Sequence, residues 1–215
     1  MQFQSSDIKA MDSRRRAAFI NSVSGFKSAN LVGTVNAKGQ SNLAIMSSAV
    51  HLGSNPPLLA LIIRPSSEEH QTLANILDSG CYSLNHVSAS MVEQGHQTAA
   101  KYPEAISEFD ATGLSPAWHS DFGAPMVAEA SIKLGLTLRE HHELEINGTN
   151  LVIGEVVLAD VPSGCVGEDG ALDLVSADTV ALTGLDTYCR AATFKRMAYA
   201  KPHLAPQVLW DSSAQ

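Results

Sequence analysis

The chain has 215 residues, 45% hydrophobic and 17% charged, with a formal net charge of −8. That composition suits one globular domain with a sizeable core and excludes a disordered chain. The acidic balance works against a nucleic-acid partner, and no apolar run is long enough to span a bilayer.

The opening MQFQSSDIKAMDSRRR holds no apolar core ahead of a small-residue cleavage site, so no secretory signal is expected. Residues 5–20 read as one helix, with Ile8, Met11, Ala18 and Phe19 on a modest apolar face. Arg14, Arg15 and Arg16 read as its solvated side. ANLVGTV (29–35) reads as a strand and NAKG (36–39) as a turn, because Asn and Gly tolerate positive φ. Extended structure resumes over SNLAIMSSAVHLG (41–53), SNPP (54–57) interrupts it, and LLALII (58–63) reads as a buried strand.

Leu73, Ile76 and Leu77 fall at helical spacing, and Gly80 is placed to end that helix. CYSLNHV (81–87) is a further strand, and residues 90–110 read as helical or irregular. From Ala130 the strand pattern returns, with Asn147-Gly148 as the strongest hairpin signal. Short strands, close turns and few helices predict a mainly β domain, a barrel or sandwich with helical additions, spanning residues 1–215 as one unit. Cys81, Cys165 and Cys189 are dispersed and odd in number, which fits free thiols in a reducing cytoplasm.

Two segments carry candidate chemistry. In RPSSEEHQTLANI (64–76) an arginine and several hydroxyls precede a helix. A helix N-terminus presents unpaired N–H groups and partial positive charge, and a guanidinium adds a fork suited to phosphate oxygens. Arg64, Ser66, Ser67, His70, Gln71 and Thr72 could hold a phosphate monoester there. The structural alternative is a capping box formed by Ser66 and Glu69. In SNLAIMSS the small and polar side chains leave the backbone open to the edge of a planar heteroaromatic, with Ala44, Ile45 and Met46 as an apolar wall. The alternative is a core strand with serines on its wet face.

The order of Asn42, Ala44, Ser47, Ser54, Pro56, Pro57, Arg64, Thr72, Asn75, Ile76 and Asn85 resembles the flavin reductase-like family, whose members have an FMN-binding split barrel. TGLDTYCRAATFKRMAYAKP (183–202), HQTAAKY (96–102) and SEFDATGL (107–114) resemble a long-chain, flavoredoxin-like branch, so the likeness spans about residues 28–202. It implies a homodimer with FMN near the subunit interface and FAD as the other candidate flavin. It implies that Asn42, Leu43, Ala44, Ile45, Met46, Ser47 and Ser48 hold the isoalloxazine. Arg64, Ser66, Ser67, His70, Gln71 and Thr72 would hold the phosphate.

The function expected is an NAD(P)H-dependent flavin reductase, with NADH or NADPH as hydride donor. Because flavin supplies the difficult chemistry, no general acid or base is strictly required. His96 is the candidate polar group at the open ring face, and Tyr188 could close over it. The alternative function is a flavin-holding or electron-transfer protein without a nicotinamide site. A third reading, a metal hydrolase, rests on His141, His142, Glu143 and Glu145, but no HExxH is present and a solvated strand face explains them better. No metal, no nucleic acid and no membrane partner is expected. The tail PQVLWDSSAQ carries no assignment.

Overall fold

The computed structural model describes residues 1–65, 71–103 and 105–212. The expected N-terminal helix is two helices, α1 (Ser5–Ala10) and α2 (Ser13–Val23). Asp12 makes the break: its Oδ1 accepts from the amides of Arg14 (3.1 Å) and Arg15 (3.0 Å) and so starts a new helix. Neither helix has a buried residue.

Strand β1 (Lys27–Ser28) leads into β2 (Asn30–Val35), β3 (Ser41–Met46), β4 (Ala49–Ser54) and β5 (Pro57–Ile63). Between β2 and β3 the Asn36 side chain accepts from the amides of Lys38 and Gln40, and Gly39 takes φ +79°. That is the turn its residues predict. Helix α3 (Gln71–Ser79) ends where Gly80 donates its amide to the Ile76 carbonyl (2.9 Å), followed by β6 (Cys81–His86). The 90–110 region holds two short helices, α4 (Val92–Gln97) and α5 (Glu108–Thr112).

Short strands β7 (Pro116–Ala117) and β8 (Met126–Val127) pair with each other. The long hairpin strands β9 (Lys133–Leu144) and β10 (Thr149–Asp160) turn over residues 145–148, where the amides of Asn147 and Gly148 both reach the Leu144 carbonyl. The chain ends with β11 (Val180–Thr183), β12 (Thr187–Arg190) and a separate hairpin, β13 (Lys195–Met197) with β14 (Val208–Asp211).

Seven strands form one antiparallel sheet in the order β3-β2-β6-β9-β10-β5-β4. Its two outermost strands, β3 and β4, are consecutive in the chain and linked by Ser47 and Ser48 alone, so the sheet curls to bring the end of β3 near the start of β4 without pairing the two strands. Just ahead of β4, Ser48 carries the β4–β5 ladder one step past the Ala49–Leu61 pair: its hydroxyl donates to the Ile62 carbonyl (2.6 Å) and the Ile62 amide donates back to the Ser48 carbonyl (3.3 Å). The result is a split barrel. Val32, Leu61, Ile63, Tyr82, Leu84, Leu136 and Val152 pack together in a core into which Ile76 of α3 also inserts. Each fully buried aliphatic side chain there stabilises the fold by about 1.5–3 kcal/mol. Leu31 and Leu43, on the opposite faces of β2 and β3, join Phe109, Met91, Val127 and Leu182 in a second core. Strand alternation thus sends neighbouring residues of β3 into different cores.

Candidate functional site

Strand β3 is held on both sides. Its inner edge pairs with β2, Ile45 opposite Leu31 and Asn42 opposite Thr34. Its outer edge, which the curled sheet leaves without a partner strand, is met by side chains. The Ser41 hydroxyl lies 3.0 Å from that of Ser107, the Leu43 amide donates to Glu108 Oε2 (2.9 Å), and the Ile45 amide donates to Thr98 Oγ1 (2.9 Å). The amides of Leu43 and Ile45, read from sequence as open to a ligand, therefore have internal partners. Leu43 itself is wholly buried. Residues Ala44 to Ser48 are half-buried, with Ile45 against the second core and Met46 against the barrel core. The stretch Ala44–Ser48 is thus an uncharged, partly open shelf with firm backing.

Helix α3 is tied to this shelf by a buried polar knot. Asn42 Nδ2 donates to Thr72 Oγ1 (3.0 Å) and to Thr34 Oγ1 (3.3 Å), and Asn75 Nδ2 donates to Thr34 Oγ1 (3.1 Å). All four residues are buried. Buried amides need such partners, since an unsatisfied donor costs about 1–3 kcal/mol. The knot brings the first turn of α3, with Gln71 and Thr72, against the start of β3. Beside it lies a concavity of about 320 Å³ lined by Asn36, Gln40, Ser41, Asn42, Gln71 and Asn75, with Ala74 and Ile106 as apolar wall.

The third element is the end of β5. Ile62 meets Ser48 where the β4–β5 ladder ends, so Arg64, two residues on, follows the strand that borders the Ser47–Ser48 crossing. Arg64 is exposed, with no hydrogen bond or ion pair among the described residues. Ser66, Ser67 and His70 lie outside the described residues.

The fourth element is the pair His96 and Tyr188. His96 is exposed on α4, two residues before Thr98, and its Nδ1 lies 3.0 Å from the Tyr188 hydroxyl on β12. The rings meet edge to face at 5.8 Å. Tyr188 packs against the same core as Ile45, which sets the pair next to the shelf. Burial, and then the charge of Asp186, hold the Tyr188 hydroxyl protonated above the ordinary phenol range. It can therefore donate a proton in a hydrogen bond throughout neutral pH.

Sequence reasoning missed Thr34, Thr98 and Glu108. The resemblance pointed to SEFDATGL, the segment that contains Glu108, but nothing local marks a carboxylate there as a partner for a strand 65 residues away. The histidine-rich stretch of β9 lies on the hairpin instead: His141 Nε2 is 2.7 Å from Asn150 Oδ1 and His142 Nε2 is 2.8 Å from Glu140. Among the described residues no group of three or more His, Cys, Asp or Glu is placed to hold a metal ion.

The chain matches the family model described as the flavin reductase like domain over residues 23–178. A solved structure from Shewanella frigidimarina NCIMB 400, provisionally assigned as a flavin reductase with split barrel domain, is 50% identical. The match covers 93% of this chain and 100% of that one, with a TM-score of 0.90. Nitrilotriacetate monooxygenase component B from Bacillus cereus shares the fold at 21% identity, over 90% of this chain and 96% of that one, with a TM-score of 0.79. An uncharacterised protein of Aquifex aeolicus (strain VF5) is 26% identical over 144 residues, 66% of this chain and 69% of its own.

Proposed function

The chain belongs to the flavin reductase like domain family, and on that footing we propose that it is an NAD(P)H-dependent oxidoreductase that binds FMN, with FAD as the alternative flavin. The observation that supports the reading is that three elements distant in sequence are each linked to the β3 region: the end of β5 through Ser48 and Ile62, the first turn of α3 through Asn42 and Thr72, and α4, which carries His96, through Ile45 and Thr98. The residues suit the cofactor. A shelf without charge, backed by Ile45 and Met46, fits a flat apolar ring. An exposed guanidinium and a helix start fit its phosphate.

Flavin, when bound, supplies the redox chemistry by accepting a hydride at N5. The chain's part is to bind and orient. Ser47 and Ser48 would meet the polar edge of the ring, with Asn42 holding the shelf to α3. Arg64, Gln71 and Thr72 would hold the phosphate, with Ser66, Ser67 and His70, which lie outside the described residues, as further candidates. His96, fixed by Tyr188, would stand at the open face where a nicotinamide must lie.

We further propose that the working form is a cytoplasmic homodimer. Val50, Leu52 and Ile62 are exposed on β4 and β5 beside the shelf, and the N-terminal helices have no buried residue. Such surfaces favour a partner. Among the described residues no helix is long and apolar enough to cross a membrane.

Anaerobic addition of NADH or NADPH to the protein with FMN is expected to bleach the flavin absorbance. A flavin that binds but is reduced only by dithionite would assign the chain to electron transfer without a nicotinamide site. Absence of binding by either flavin would end the flavin reading.

A further inference from the structure

A strand at the edge of a sheet presents alternate N–H groups to solvent, and its position is weakly fixed unless something covers it. The outer edge of β3 is covered by three side chains in succession. Glu108 and Thr98 accept from the outward amides of the alternate residues Leu43 and Ile45, and Ser107 meets the hydroxyl, not the amide, of Ser41. The spacing is that of a ladder, with side-chain oxygens in place of a neighbouring strand. Thr98 is fully used: its hydroxyl donates to the Gly95 carbonyl (2.8 Å) while accepting from Ile45. Glu108 is buried at 8% exposure, and a carboxylate accepting a backbone amide in such a place makes a stronger bond than a neutral acceptor.

We propose that Glu108 and Thr98 are positioning residues of the flavin site, clamping β3 through the amides of Leu43 and Ile45 so that Ala44–Ser48 meets the ring in one fixed register. The inference rests on the flavin reading above and adds to it the pair of side chains that set the shelf. The polar knot on the inner side, Asn42 with Thr34 and Thr72, cannot do this alone, because it grips the first half of the strand. The ring segment begins beyond it.

The Glu108 carboxyl also makes the clamp sensitive to acid. Burial raises its pKa, against the opposing effect of the amide bonds from Leu43 and from its own backbone. The charged or titratable groups on the packed elements are Asp110 on α5 and Glu93 and His96 on α4, and β3 carries none. Protonation replaces a charged acceptor with a neutral one and loosens the Leu43 bond.

The test uses the full chain and three variants, Glu108→Gln, Glu108→Ala and Thr98→Val, with riboflavin as probe so that phosphate ionisation does not intrude. Riboflavin affinity is followed by fluorescence from pH 5 to 8, and hydrogen exchange is measured at the Leu43 and Ile45 amides. Glu108→Ala is expected to weaken riboflavin about tenfold at pH 8 and to expose the Leu43 amide to exchange. Thr98→Val should do the same at Ile45, with a loss of about fivefold. Wild-type affinity should fall on acidification to the level of Glu108→Gln, whose own profile stays flatter by that difference. Folded variants that bind riboflavin as wild type does, or Gln and wild-type profiles that run parallel, overturn the clamp. Wild-type protein that binds neither riboflavin nor FMN overturns the flavin reading, and the two amides then show separately whether the ladder exists.

Discussion

Tyr188 and His96 stand 92 positions apart in the chain, yet the phenol hydroxyl and Nδ1 are 3.0 Å from each other at the rim of the shelf. Burial, and then the charge of Asp186, push the pKa of the phenol above its ordinary value, so it is protonated at neutral pH with room to spare. Replacing Tyr188 by Phe removes one hydrogen bond and keeps the ring packing. Turnover with saturating flavin is expected to fall about fivefold, as the loss of a single neutral hydrogen bond implies, with thermal stability nearly unchanged. An unaltered rate would show that the pair does not orient a group used in the reaction.

Thr34 holds two amides at once, those of Asn42 and Asn75. Thr34→Val leaves Asn75 without its partner, while Asn42 keeps Thr72. The expected cost is about 2 kcal/mol of unfolding free energy, with weaker flavin binding because α3 is no longer tied to β3. Chemical denaturation and flavin titration on the same variant measure both.

The barrel strands were legible as short apolar runs bounded by turn residues, and the turns because Asn36, Gly39, Gly80 and Gly148 each meet a backbone need. The break between α1 and α2 was missed because the apolar pattern continues across Met11–Asp12, and only the capping bonds of Asp12 interrupt it. The shelf could be seen as an unusual strand, but not its outer supports. Thr98 and Glu108 come from a stretch without periodic pattern, 53 and 65 residues from the amides they meet. No local rule connects such pairs.

Inside the barrel the Tyr82 hydroxyl is buried without a hydrogen-bond partner among the described residues, and it lies against Gly154. A Cβ at position 154 would overlap that hydroxyl. Gly154→Ala is therefore expected to destabilise the fold by about 1–3 kcal/mol. Tyr82→Phe, which removes an unsatisfied polar atom, should be neutral or stabilising by about 1 kcal/mol and should rescue only part of the Gly154→Ala loss, because the Cβ would still meet the ring Cζ at 2.9 Å. Thermal melts of the two single variants and the double variant test the coupling.

His86 gives the fold an acid-side weakness. Burial lowers its pKa from the ordinary 6.5, and its Nδ1 has no partner among the described residues. The unfolded chain takes up a proton near pH 6.5 and the folded chain resists until lower pH. The stability associated with neutral His86 is thus complete above pH 6.5 and is lost as pH falls through 6.5 toward the lowered value. Urea unfolding at pH 7.5 and 5.5 should show a larger drop for wild type than for His86→Gln.

The central claim is that the shelf at Ala44–Ser48 and the guanidinium of Arg64 together hold one flavin. It is tested most directly by titrating FMN and riboflavin into wild-type protein and Arg64→Ala while following absorbance, then adding NADH or NADPH without oxygen. The expected result is that wild type binds FMN more tightly than riboflavin, that Arg64→Ala weakens FMN about tenfold and riboflavin hardly at all, and that a nicotinamide bleaches the bound flavin. Equal affinity of wild type and variant for FMN would contradict it, while a bound flavin that neither nicotinamide reduces would leave the site standing and overturn the reductase reading.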